Sequence, residues 1–198
     1  MSIKAPKTES QFEPVPAGNH VARCYRVLHI GTVPDTYKGE QKIVNKVRIG
    51  FELPNETKVF KEGEAAQPYV IDREYTLSMF EGASLYKLVS GILGKQLSEE
   101  EAEAFEMSQL VGSECLLNVV HKTSETSGKT FANIASAAPI PKGMTVPPAV
   151  NAPQILDYDN WNQELFESLP DFLKDKIVAS DEYKALKGIA PSSDAIPF

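Results

Sequence analysis

The sequence predicts a mainly β domain: five strands forming a small barrel, a helical insert between the third and fourth, a short C-terminal helical segment and a flexible tail. Three observations predict it. Residues 45 to 54, NKVRIGFELP, alternate Val47, Ile49, Phe51 and Leu53 with Lys46, Arg48, Gly50 and Glu52, the period of two that a half-buried strand requires. Between residues 84 and 112 the apolar spacing becomes helical. After Gly112 it returns to strands.

Taken in order, residues 1–17, with Pro6, Pro14 and Pro16, read as an extended N-terminal arm. HVARCYRVLHI, 20 to 30, is the first strand, and PDTYKGEQK, 34 to 42, carries the Pro-Asp and Lys-Gly chemistry of a turn into the second. YVIDREYTLSM, 69 to 79, is the third strand, reached through a polar loop containing Pro54, Gly63 and Pro68. Leu85, Leu88, Val89, Ile92 and Leu93 then sit at helical spacing, with Ser84 as the expected cap. Ser98 and Glu101 form a capping box that opens a second helix over SEEEAEAFEMSQLVG. ECLLNVVHK, the turn TSETSG and KTFANIASA, 129 to 137, complete the strands. Three strands, a helical insert and two strands is the order of the oligonucleotide/oligosaccharide-binding (OB) barrel, assigned here to residues 18–141.

Residues 142–155 hold Pro147, Pro148 and Pro153 and read as a semi-extended linker. The segment 156–187 offers Trp161, Leu165, Phe166, Leu169, Phe172, Leu173 and Ile177 in short helical patterns that Pro170 interrupts. It has three possible roles: covering the barrel as a pair of helices, binding a partner, or self-association. Residues 188–198 form the tail.

Composition narrows the function. At 42% hydrophobic and 24% charged, the chain carries enough apolar residues for one core with appendages. No apolar run reaches the ~20 residues of a membrane span, and MSIKAPKTESQF lacks the apolar region of a secretion signal, so a cytoplasmic protein is expected. In that reducing compartment Cys24 and Cys115 should be packed thiols. The net charge of -7 is unevenly spread: Arg23, Arg26, Lys38, Lys42, Lys46 and Arg48 face only Asp35 and Glu40 in the first limb, while Glu99, Glu100, Glu101, Glu103 and Glu106 form an opposite block. A basic limb with acidic flanks can hold phosphates locally.

Catalytic signals are weak. SGKT, 127 to 130, matches the end of a phosphate-binding loop, but Thr123 stands where that motif needs glycine, and the stretch lies between strands. His20, His29 and His121 have no metal-ligand spacing. No nucleophile has an activating neighbour. Neither an enzyme nor a cofactor is expected.

The last residues, SSDAIPF, place Ile196, Pro197 and Phe198 at the end of an acidic chain, where a core cannot easily use them. With GNHVARCYRVLHIGT and NKVRIGFELP, this ending resembles the single-stranded DNA-binding proteins of bacteria and, specifically, their phage-encoded members. The resemblance covers roughly residues 18–141 and the last four. Where the bacterial family carries a run of aspartates before Ile-Pro-Phe, this chain has only Asp194, followed by Ala195.

The resemblance implies a protein that coats single-stranded DNA without strong sequence preference in replication, recombination and repair. Its tip, Asp194, Ile196, Pro197 and Phe198, would recruit partner enzymes. Strand binding needs cations for the backbone and flat rings for the bases. The candidate cations are Arg23, Lys42, Lys46, Arg48, Lys122 and Lys129, and the candidate rings are Tyr25, Tyr37 and Phe131. Arg48 leads, because Val47, Ile49 and Phe51 take the inward positions around it and turn it to the outer face or the groove mouth. Core packing competes for Tyr25 and Phe131. An OB-like adaptor or virion-associated protein that binds other proteins and no DNA is the alternative, supported by the overall acidity and the aromatic C-terminal segment. A homo-oligomer is compatible with either.

Overall fold

Strand β1 (Gly18–Tyr37) organises the sheet. The computed structural model describes residues 13–37, 39–125 and 127–189, and the tail tip Asp194, Ile196, Pro197 and Phe198 lies outside them. β2 (Glu40–Lys58) and β3 (Gln67–Thr76) follow, then helices α1 (Ser84–Leu93) and α2 (Glu99–Glu103), a 3-10 turn at Met107–Leu110, and strands β4 (Glu114–Thr123) and β5 (Thr130–Ala138). The chain closes with β6 (Gln154–Leu156), α3 (Gln163–Ser168), α4 (Asp171–Val178) and α5 (Asp181–Leu186). The protein is therefore mainly β with short helices.

The sheet runs β3-β2-β1-β4-β5 with every neighbouring pair antiparallel, and β6 adds to β1 in parallel at Arg26–Leu28. β1 can serve three partners because it is long and bent: Gly18–Arg23 pair with β4, and Arg23–Tyr37 pair with β2 across irregularities at Cys24/Arg26 and His29/Gly31. Such bulges sharpen bend and twist. The bend brings the outer strands β3 and β5 towards each other, yet among the described residues no ladder joins them, and the sheet does not close into the expected barrel. Arg73 bridges the gap: it stands on the inner face of β3 beside Tyr75 and donates across the seam to the Ile134 carbonyl.

The inner core is built from the alternation read in the sequence. Val47, Ile49, Phe51 and Leu53 meet Ile71, Cys115, Leu117, Val119 and Ile134, and α1 contributes Leu85, Leu88, Val89 and Ile92. Cys24 and Cys115 are free thiols within it, and burial pushes both up to about 12, so neither is a reactive thiolate. The capping box at Ser98 and Glu101 forms as expected. Two local expectations fail. The second helix ends at Glu103 because Phe105 and Met107, two residues apart, both pack on the core, a spacing that a continued helix would split between faces. Ser84 begins α1 without capping it, since the cap position falls on Ala83.

A second core lies outside the sheet. Leu28, Ile30 and Val33 of β1 are covered by Leu156, Phe166, Leu169, Leu173 and Ile177, with Tyr158, Trp161, Leu165 and Tyr183 packed around them. The C-terminal segment is thus a cover on one face of the sheet. Gly31 makes the close approach possible: its φ is +93°, and a Cβ there would lie 2.6 Å from Glu182 Oε2 and 2.7 Å from Ser180 Cβ. Glu182 then clamps the strand, accepting from Thr32 N at 2.6 Å, Thr32 Oγ1 at 2.7 Å and Asn45 Nδ2 at 3.3 Å. Tyr158 donates its hydroxyl to the Ile30 carbonyl at 2.9 Å.

Candidate nucleic-acid interface

The outward residues of β1, β2 and β3 form a band of alternating charge. Cross-strand register places Arg26, Gly50 and Asp72 in one row and Leu28, Arg48 and Glu74 in the next. Gly50 lets the longer chains cross: a Cβ there would lie 2.1 Å from Asp72 Oδ1 and 3.2 Å from Arg26 Cβ. Arg48 donates to Asp72 and Glu74 at 3.4 Å and lies under the Phe172 ring of α4, with 5.8 Å from the guanidinium carbon to the ring centre. Lys46 reaches Asp35 at 2.7 Å and Glu74 at 3.9 Å, and Lys176 of α4 joins Glu74 at 2.6 Å. The Lys46 contact holds the Asp35 carboxyl below its ordinary value.

Arg23 is likewise engaged, by Glu114 at 2.7 Å and Glu52 at 3.3 Å. Glu52 is fully buried under the stretch before β6, accepting from Asn151 N at 2.8 Å, Asn151 Nδ2 at 2.9 Å and Val150 N at 3.2 Å. Burial pushes its carboxyl up, but donation from Asn151, Val150 and Arg23 outweighs that and holds it below the ordinary carboxylate value. Tyr25 is 4% exposed, packed as a core ring with Arg26 above it, and desolvation pushes its phenol up to about 12.

Thus Lys46 and Arg48 face outward as the alternation in β2 predicts, but they and Arg23 are paired with acids, and the C-terminal cover lies over Arg48. Alternation could not reveal this, since Asp72 and Glu74 come from another strand and Phe172 from a distant segment. Asp72 and Glu74 do alternate with Ile71, Arg73 and Tyr75 in the sequence, and that was the available sign of an acidic row beside the basic one.

The other candidates lie elsewhere. Lys42 is exposed near the β1–β2 turn, opposite Asp35 and 3.7 Å from Glu40, beside the exposed Ile43. Tyr37 ends β1, its backbone opposite Glu40. On the β4–β5 hairpin, Lys122 stands directly opposite Phe131, and Lys129 lies in the turn. Val119 and Ile134 point inward in this ladder, so Lys122 and Phe131, three positions further on, share the outer face. Phe131 is 45% exposed, and neither lysine has an acidic partner among the described residues. The hairpin runs past the start of β1, where Gly18 meets Val119, whereas Lys42 lies near the opposite end of β1. Among the candidates, Arg23, Lys46 and Arg48 are therefore paired with acids and Tyr25 is buried, whereas Lys122, Lys129 and Phe131 are open among the described residues.

The histidines are structural: His20 contacts Glu56 and the Pro16 carbonyl, His29 contacts Asn45, and His121 contacts the Val15 carbonyl. Among the described residues no His, Cys, Asp or Glu cluster could hold a metal ion, and no helix is long and apolar enough to cross a membrane. No protein-family model matches the chain, and no curated protein matches it.

Proposed function

We propose that this chain is a single-stranded DNA-binding protein of the phage type, built on an open OB-like barrel, that coats exposed strands in a bacterial cytoplasm and recruits replication or recombination enzymes through Ile196–Phe198. The observation that carries the reading is Lys122, without an acidic partner among the described residues, set against the exposed Phe131 ring on the β4–β5 hairpin. A cation beside an open ring serves a phosphate and its base together, and the turn between the fourth and fifth strands belongs to the binding side of such barrels. The strand order, with helices between β3 and β4, supports the same reading.

Fluorescence anisotropy with a labelled single-stranded oligonucleotide, titrated across salt, tests it. Binding tighter to single strands than to duplex, with a log-log salt slope steepening by ~0.7 per neutralised phosphate, is the expected outcome. No binding at low salt would remove the proposal. For the tip, deleting Ile196–Phe198 should leave strand binding intact and abolish capture of replication enzymes; a fall of several degrees in Tm with capture retained would make the tip a part of the fold.

One observation favours the protein-binding alternative. Phe80 is 76% exposed beside a groove of about 610 Å³ that Met79 and Leu97 line and Glu81, Glu99 and Glu103 rim. An apolar floor with an acidic rim suits a basic peptide, and such a chain would bind partners with no salt-dependent affinity for oligonucleotides.

A further inference from the structure

The seam between β3 and β5 holds a cleft of about 240 Å³. Arg73, Tyr75, Ser84, Lys87, Ile134 and Ser136 line it, with no acidic residue among the lining. This is unusual on a chain with a net charge of -7. Arg23, Arg26 and Arg48 each have a carboxylate within 3.4 Å, whereas Arg73 has none among the described residues. Its guanidinium bonds the Ile134 carbonyl and lies 4.9 Å from the centre of the Tyr75 ring, which leaves most of its five N–H donors without a protein acceptor. Lys87 is exposed on α1 and also has no acidic partner among the described residues. Neither α1 nor β5 contains an acid that could supply one.

Two further features show unmet donor capacity. Tyr75 is 4% exposed, and its buried hydroxyl, beside the Arg73 guanidinium, has no hydrogen-bond partner of normal geometry among the described residues. α1 starts at Ser84 with no side-chain cap and no acidic residue in its first turn, so its first N–H groups attract an anion. The cleft lies below the ~300 to 1,000 Å³ of a site for a drug-sized molecule, which limits the ligand to a small group.

We propose that the β3–β5 seam is a binding site for one phosphate group, gripped by Arg73 and Lys87, with Ser84 and Ser136 as neutral donors. The phosphate could belong to a bound strand or to a small phosphorylated ligand, since both present the same oxygens. The site lies at the inner part of β5, away from the Lys122–Phe131 pair near the hairpin turn, and does not depend on the proposed strand binding.

Chemical-shift mapping of the full chain tests it with three probes: inorganic phosphate, a nucleoside 5′-monophosphate and a short single-stranded oligonucleotide. Saturable shifts at the amides of Ser84, Leu85, Ala135 and Ser136 and at Arg73 Nε are expected with at least one. Shifts with inorganic phosphate or the monophosphate identify a free ligand, and shifts with the oligonucleotide alone identify a strand phosphate. Lys87→Gln should weaken the response about fivefold, the upper end for an exposed ion pair, and Arg73→Gln by more than ~tenfold. Arg73 also bonds across the seam, so Lys87→Gln, which removes no contact within the fold, decides if the arginine variant unfolds. No saturable shift at the seam with any probe, or an unchanged affinity in Lys87→Gln, overturns the proposal.

Discussion

The outer face of β1, β2 and β3 and the outer face of the β4–β5 hairpin carry the same kinds of side chain in opposite circumstances. On the first, Arg23, Lys46 and Arg48 are held by Glu52, Glu114, Asp35, Asp72 and Glu74, with Phe172 over Arg48. On the second, Lys122 and Phe131 face each other with no acidic partner for the lysine among the described residues, and the ring is 45% exposed. On the proposed function, then, freedom from partners and not charge type marks the binding surface. A half-buried cation matched to a carboxylate contributes to the fold, and withdrawing it for a ligand would strand the acid it leaves.

The variants that separate these regions most strongly are those that damage the cover. Ile177 is fully buried in the second core, so Ile177→Ala should cost about 2 to 5 kcal/mol. Denaturant unfolding measures this, and a loss within ~0.5 kcal/mol, the surface range, would mean that the C-terminal helices contribute little to the fold. Next in size is the hairpin. Phe131→Ala should weaken oligonucleotide binding by ~1 to 3 kcal/mol, the scale of one base stacked on a ring, and Lys122→Ala should lower the salt slope by ~0.7. Both should leave stability almost unchanged.

The third prediction uses pH. Burial pushes the Glu182 carboxyl up, but donation from Thr32 N and Oγ1 prevails and holds it below its ordinary value, as the donors around Glu52 do there. Both groups are thus more acidic in the folded chain than in the unfolded one. Their contribution is complete above the unfolded pKa and is lost as pH falls through the lowered folded values. Thermal unfolding from pH 7 into the acid range should show a steep fall that Glu182→Gln flattens; an identical profile in the variant would mean that the clamp on Thr32 is not formed in solution. The smallest expected effect is the sharpest contrast with the hairpin: Lys46→Ala with Arg48→Ala should change oligonucleotide affinity by about twofold or less, an exposed-charge scale, while lowering the unfolding midpoint. A large loss of affinity with stability intact would show that the cover moves aside and that this face binds the strand.

The element order was readable because each element states its period locally. Val47, Ile49, Phe51 and Leu53 had to share one face, α1 had to bury Leu85, Leu88, Val89 and Ile92, and SGKT had to be a hairpin turn and not the start of a helix. The outward direction of Lys46 and Arg48 follows from the same period of two. Phe131 shows its limit: a ring at the end of a strand reads equally as core or surface, and only its register against Lys122 and the inward pair Val119 and Ile134 settles its face.

What the sequence by itself determined is the mainly β class, the order of the first five strands and the helical insert among them, the faces of β2 and the capping box, since all of these rest on neighbours a few residues apart; β6 and the third C-terminal helix were not legible there. Tertiary structure alone decided which cations are free, because Arg48 meets Glu74 and Phe172, Glu52 meets Asn151, and Gly31 admits Glu182 across separations that no local pattern encodes. It also decided that the sheet does not close between β3 and β5, where Arg73 bonds the Ile134 carbonyl across the seam. Periodicity records which side of an element is apolar; which distant segment covers the other side depends on packing that forms only when the whole chain has folded.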